Sequence, residues 1–406
     1  MHPLRRYAVP IFLPAVLFST AEGCLMPVLP ARAVELGADT ALAGLVAGLL
    51  MIGQVVGDLP SSWVVARIGE QRTMLAAAGL AAVAIVAGGV LPGLPGLMLV
   101  VLVVGVAAAA FNLARHALLT EIVPVPYRAR AMSVLGGTLR AGLFLGPLLV
   151  APVVARWGTV SALWCAGALA VVLVALLVVL PDPGRRLAPE AAAPQQPERM
   201  PLWRTIRDAR RVLLTMGAGI AAVQLLRSSR QVILPLWGTH LGLDPEAVAV
   251  IMGVAGGVDL ALFYASGQIM DRFGRLWVVL PTLVGLALAH LALLPVREVW
   301  GLLAVGMLMS IANGLGSGIV MTLGADLAPR ENPTAFLGAW RLAADAGSAC
   351  SPLLLSALAA LAGLGAAAVV MGALGLAGAW TLWRWTPRFL PPELSGRGRI
   401  RPRRTR

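Results

Sequence analysis

The sequence predicts an all-α membrane protein: twelve transmembrane helices in two six-helix bundles related by a parallel repeat. Three observations predict it. Of 406 residues, 59% are hydrophobic and 13% charged, with mean hydropathy +0.85; a soluble domain carries about 25% charged residues. Apolar runs of about 20 residues, the length that crosses a bilayer, recur along the whole chain. The chain also matches itself at a constant shift of 205 residues.

The apolar runs place spans at 8–30, 40–62, 73–92, 97–120, 134–155, 159–180, 212–236, 246–269, 276–295, 299–325, 334–361 and 365–386. "MHPLRR" followed by a long apolar run reads as a retained first span rather than a cleaved signal. Asp39 and Asp244 stand where N-caps belong, with Pro245 at a first helical position.

Every basic side chain apart from histidine is arginine, and the formal charge is +13. With the N-terminus inside, inner loops and tails hold 24 arginines and outer loops hold three, Arg32, Arg156 and Arg297. That asymmetry predicts a multi-pass protein of the cytoplasmic membrane with both termini in the cytoplasm. The positive charge lies between spans and in the tail, so it reads as orientation and not as nucleic-acid binding.

The repeat sets the domains. Pro30 falls on Pro235, "LGAD" (36–39) on "LGLD" (241–244), "ARIGE" (66–70) on "DRFGR" (271–275), "TEIVP" (120–124) on "ADLAP" (325–329) and "RAGLFLGP" (140–147) on "DAGSACSP" (345–352). No gap is needed between residues 29 and 147. Two bundles follow, 1–180 and 212–388, joined by a Pro/Ala/Gln-rich cytoplasmic linker at 181–211 and followed by an Arg-rich tail at 389–406. Within the linker, "LWRTIRDARR" reads either as a short amphipathic helix on the inner surface or as a solvated connector. The tail reads as disordered and able to touch anionic lipid. Parallel repeats of this kind are a transporter architecture, with the solute site near the midplane.

Residues 267–275, "GQIMDRFGR", resemble the loop signature G-x-x-x-D-R-x-G-R of the major facilitator superfamily. Residues 142–147, "GLFLGP", resemble a fifth-helix element of its twelve-span proton-coupled drug exporters. The resemblance implies alternating access and proton antiport. The first-half twin of the loop, "SSWVVARIGEQR", departs from the signature with Ser62, Ala66 and Glu70, and Val101 stands where such exporters often carry an arginine four residues before Gly105. In the loop signature, Gly267 and Gly274 are expected to permit close helix approach and a tight turn. Asp271, accepting from Arg272 or Arg275, is expected to latch one access state. Gly142, Gly146 and Pro147 are expected to make a pliable helix, or simply to pack closely.

Charges at bilayer depth are the sharpest site signal, because each costs roughly 2.5–3.5 kcal/mol on insertion scales. They are Glu22, Arg115, Arg140, Arg227, Arg230, Asp259, Arg341 and Asp345, with Asp58 near an inner helix end. Glu22, Asp259 and Asp345 are the candidates for proton coupling. By the resemblance, spans one, four, seven and ten line the cavity. Glu22, Asn112, Arg115, Arg227, Arg230 and Asn313 are therefore the cavity candidates. Asp58, Arg140 and Arg341 are interface charges, and Arg140 and Asp345, at equivalent repeat positions with opposite sign, are expected to balance each other. His116 and His290 read as packed or hydrogen-bonded residues before they read as proton shuttles.

No phosphate-cradling Gly-Lys-Ser/Thr loop, metal-ligand spacing or disulfide framework is present; Cys24, Cys165 and Cys350 fall in apolar stretches. "GLGSG" (314–318) lies inside a predicted span and reads as close packing. The expectation is a non-enzyme without cofactor or metal. It moves a small molecule together with protons across the bilayer as a monomer, by efflux of drug-like or amphipathic compounds. Import or exchange of a specific anionic solute is the first alternative, and a non-transporting sensor or scaffold the second.

Overall fold

Glycines with positive φ punctuate the helices at the repeat spacing. Gly37 and Gly242 (φ 91° and 70°), Gly69 and Gly274 (83° and 96°), and Gly158 and Gly363 (77° and 84°) are each 205 residues apart. A side chain is strained at such angles, so the same turns close both halves. The third pair extends the gap-free register beyond residue 147.

The computed structural model describes residues 11–91, 93–123, 125–180, 207, 209–329 and 333–396. Most of the linker and the Arg-rich end of the tail lie outside them. The first half contains α1 (Leu13–Leu25), α2 (Leu29–Glu35), α3 (Thr40–Ile68), α4 (Glu70–Val90), α5 (Gly93–Ile122), α6 (Val125–Trp157) and α7 (Val160–Val179). The second opens with Arg210–Val212 and a π-helical turn, Leu213–Gly217. It continues with α8 (Ala218–His240), α9 (Pro245–Phe273), α10 (Leu276–Ala292), α11 (Val299–Leu315), α12 (Ile319–Leu327), α13 (Pro333–Phe389) and the short α14 (Pro392–Ser395). Gly363 (φ 84°, ψ 165°) breaks α13 into the two expected spans. Counting α1 with α2 and α11 with α12 gives twelve spans. Asp39 caps α3, its Oδ1 accepting from the Leu42 amide at 2.7 Å.

Two predicted spans are not continuous. The first breaks around Pro27, between α1 and α2. The tenth breaks at Gly316–Gly318, where Gly318 turns left-handed (φ 79°). "GLGSG" is close-packed as expected, since a Cβ on Gly316 would lie 2.5 Å from Thr282 Oγ1. It also unwinds the helix, because glycine-rich chain offers little resistance to a break.

Packing sorts the chain into two compact units, Met1–Pro194 with Gln231–Leu260, and Gln195–Arg230 with Ala261–Arg406. The boundaries cut α8 and α9 mid-helix. In the first unit, Phe18 stacks on Phe111 with centroids 4.3 Å apart, over a core that includes Met74, Leu118, Leu119 and Leu173. Glycine brings helix backbones together, as in membrane bundles generally. A Cβ on Gly142 would lie 2.4 Å from Ser19 Cβ, and one on Gly146 would lie 2.5 Å from Thr20 O. So α6 presses directly on α1. Its other side meets α9, where a Cβ on Gly257 would lie 2.9 Å from the Phe144 ring.

In the second unit, Trp340 Nε1 donates to the Val320 carbonyl at 2.8 Å and joins α13 to α12. The chain after α13 hooks back onto the α9–α10 turn: the Arg275 amide donates to Leu394 O at 2.9 Å. Gly274 and Gly396 are so close that a Cβ on Gly274 would lie 2.5 Å from Gly396 N. The twin turn at Gly69 has open space around it.

Candidate functional site

In the first unit, three helices bring polar groups to one buried point. α1 supplies Glu22, 5% exposed, whose Oε1 accepts from Gln54 Nε2 of α3 at 3.1 Å. α5 supplies Arg115, 2% exposed, with its guanidinium 5.9 Å from the Phe111 ring centroid. Glu22 is the charge that acts on Arg115, and Arg115 the one that acts on Glu22. Yet Arg115 Nε and Nη1 are buried without a hydrogen-bond partner. One turn earlier on α5, Asn112 Oδ1 is in the same condition. Buried polar groups are ordinarily paired, and buried charges more so. His116, on the same face, is exposed and its Nδ1 meets Asn112 O at 2.9 Å.

The arginines of the second unit are placed differently. Arg227 Nη2 donates to Gly316 O at 2.6 Å and its Nη1 to Gln224 Oε1 at 3.2 Å. Arg230 Nη1 donates to Ser310 Oγ at 2.7 Å. Both reach α11 and its broken end from one face of α8, as their spacing requires. Ser266 Oγ donates to Ser317 O at 2.6 Å. Arg227 and Ser266 thus donate to carbonyls of the broken segment 316–318, where Gly316 O also accepts from the Ile319 amide at 3.2 Å. Asn313, 7% exposed, sits one turn before the break. His290 is fully buried: its Nδ1 meets Leu286 O at 2.7 Å and its Nε2 meets Ser229 Oγ at 2.9 Å. The Leu286 carbonyl only accepts, so Nδ1 carries the proton and Nε2 accepts from the serine hydroxyl.

The interface charges pair in ways the sequence did not foretell. Arg140 Nε on α6 lies 3.8 Å from Asp259 Oδ2 on α9. The ion pair found for Asp345 is with Arg341, one turn away on the same helix at 3.6 Å. Asp58, one turn past Gln54 on α3, is partly buried and also has a partner.

At the loop signature, Arg275 Nε donates to Asp326 Oδ2 at 2.8 Å and Nη1 to Met270 O at 3.0 Å. The carboxylate thus identified comes from the end of α12; the side chain of Asp271 lies outside the described ones. Arg272 is exposed, its guanidinium 5.3 Å from the Phe273 ring centroid. Gly274 makes the expected tight turn. Gly267 does not serve close approach, because a Cβ there would meet nothing within 4 Å. Pro147 is buried inside α6.

Gln54 and Asp326 were not singled out from the sequence, although the repeat marks both. Gln54 is the counterpart of Asp259, and Glu22 of Arg227; each pair is 205 apart. Arg275 and Asp326 fall on Glu70 and Glu121, two acids. No group of three or more His, Cys, Asp or Glu among the described residues is arranged to hold a metal ion.

The family model described as Major Facilitator Superfamily matches residues 11–275 and 221–405. No curated protein sequence matches the chain. Solved structures similar to it include a POT family transporter in complex with a thioalcohol-conjugated peptide (TM-score 0.79, 9% identity, 95% of this chain and 96% of that one). A bacterial homolog of the human lysosomal transporter Spinster, inward-facing and unoccupied, gives TM-score 0.75 and 13% identity over 96% and 98%. A D-xylose–proton symporter gives 0.66 and 17% over 94% and 98%.

Proposed function

The chain belongs to the major facilitator superfamily and is a multi-pass membrane transporter, not an enzyme; we propose that it couples protons to the movement of a small organic anion, with Glu22 as the proton carrier and Arg115 as the anion site. The observation that carries this reading is the buried Arg115 guanidinium, whose Nε and Nη1 lack a partner. A guanidinium fork matches a carboxylate, sulfonate or phosphate. Asn112 Oδ1, one turn away, would accept from a donor on the same solute. Arg227 and Arg230 fit the role less well, since protein groups already engage them.

The route from Glu22 to the rest of the bundle runs through packing. Protonation removes the negative charge that Arg115 and Gln54 face. Gly23, next in sequence, is pressed on α6, where its Cβ would lie 2.9 Å from Gly142 O. α6 in turn bears on α9 through Phe144 and Gly257 and through Arg140 and Asp259. A small shift of α1 therefore reaches the α6–α9 contact, because close-packed backbones transmit displacement. A monomer, both termini in the cytoplasm and a division into bundles 1–180 and 212–388 belong to the same proposal, supported by the arginine asymmetry and the repeat.

The test uses purified protein in liposomes. Gradient-driven transport should fail in Glu22→Gln, while solute counterflow, which needs no net proton movement, persists. Gradient-driven transport at the wild-type rate would remove Glu22 from the role. Separately, benzoate and benzenesulfonate should compete for the site where neutral benzamide does not, and Arg115→Gln should abolish that preference. Equal competition by benzamide would refute the anion site and leave the proton role standing.

Export of amphipathic compounds is the second reading. Its support is the "GLFLGP" element, whose Gly142 and Gly146 press α6 on α1 beside Glu22. The two readings meet in a solute that is both amphipathic and anionic.

A further inference from the structure

Three arginines surround one tryptophan where α13 ends. The guanidinium carbons of Arg211, Arg384 and Arg388 lie 5.8, 5.8 and 4.6 Å from the Trp385 ring centroid. All three arginines are exposed. None of them takes part in an ion pair among the described residues. Arg384 and Arg388 stand four apart on one helix face, an arrangement that like charges disfavour. Arg211 comes from the segment leading into α8, brought near where Thr386 Oγ1 meets Met216 Sδ at 3.8 Å. Tryptophan and arginine together at a span end are the side chains of a membrane–water interface. Converging positive charges with no protein carboxylate call for a mobile or bound anion.

The next face of the same turn is apolar. Trp383, 47% exposed, and Trp277, 61% exposed, wall a groove of about 440 Å³ floored by Leu280, Pro281 and Val284. Successive helix residues are about 100° apart, so Arg384 stands between this groove and Trp385. Gly396 closes one end of the groove, and six more arginines follow it in sequence, from Arg397 to Arg406.

We propose that this is a binding site for an anionic phospholipid: the Arg211, Arg384 and Arg388 cluster takes the phosphate and the Trp277–Trp383 groove takes an acyl chain. The pairing of a phosphate-sized basic cluster with an adjoining apolar slot selects a lipid over a free anion. The site is built from residues of the second unit and does not depend on the transport reading.

The probe is the full-length protein in detergent, given equimolar phosphatidylglycerol and phosphatidylcholine and examined by native mass spectrometry. Retained lipid should favour phosphatidylglycerol by about tenfold or more, given the worth of each arginine near an anionic surface. Changing Arg211, Arg384 and Arg388 together to Gln should bring the preference to within about twofold, whereas Arg399→Gln with Arg403→Gln should leave most of it. Leu280→Trp, which fills the groove, should reduce retention without restoring phosphatidylcholine. The wild-type competition needs no variant, so equal retention of the two lipids overturns the proposal outright. Loss of the preference on changing only the tail arginines overturns the assignment to the Trp385 cluster. Inorganic phosphate alone raising the melting temperature as much as phosphatidylglycerol does would mean a free-anion site, and overturns the lipid assignment.

Discussion

Arg275 and Asp326 form an ion pair of 2.8 Å that ties the α9–α10 turn to the end of α12. Both side chains are largely buried, at 10% and 18% exposure. Their repeat counterparts are Glu70 and Glu121, two residues of like charge in the sequence. The two halves therefore carry the same glycine turn with different charges at these positions. Asp326→Asn should destabilise the protein by roughly 3 kcal/mol, the cost of leaving one partner of a buried pair uncompensated. Glu70→Gln should be nearly neutral. Thermal unfolding in detergent decides it; equal effects at the two sites would remove the asymmetry.

Glycine in α6 separates packing from flexibility. Gly142→Ala and Gly146→Ala push a methyl group into the backbone of α1 and should each cost about 1–3 kcal/mol. Gly137→Ala, on the same helix with nothing within 4 Å of the added methyl, should stabilise by about 0.5–1 kcal/mol. If all three behave alike, helix propensity and not the α1–α6 contact governs this segment.

His290 offers a test of a structural histidine. Ser229→Ala leaves Nε2 buried without its donor and should cost about 1–3 kcal/mol. The pH profile of transport should not move, because the ring is fully buried and donates to a backbone carbonyl. A shifted profile in Ser229→Ala would bring His290 back as a proton shuttle.

The C-terminal hook predicts two different truncations. Removing 391–406 takes away Leu394 and Gly396 and frees the Gly274 turn, so the melting temperature should fall and protease should cut near that turn. Removing only 398–406 leaves both contacts and should leave stability unchanged. Equal loss in the two truncations would show that the arginine tail, not the hook, stabilises the turn.

Much of the fold was legible in the sequence because the bilayer allows few solutions. Backbone groups in lipid must be satisfied within a helix, so long apolar runs and a 205-residue repeat already point to twelve spans. Glu22 and Arg115 were also legible, since a charge at that depth stands out against its neighbours. The breaks at Pro27 and Gly316–Gly318 were not, because proline and glycine are tolerated in membrane helices and only the surroundings decide whether the ladder opens. Pairing was beyond reach for the same kind of reason. Arg227 meets the Gly316 carbonyl, Arg140 meets Asp259, and Arg115 meets no hydrogen-bond partner at Nε or Nη1, yet in the sequence they are three arginines in apolar runs. Charge and hydropathy set which residues enter the membrane. Which of them become spoken for is decided by helix packing, since a partner within 3 or 4 Å is a property of neighbours in space and not in sequence.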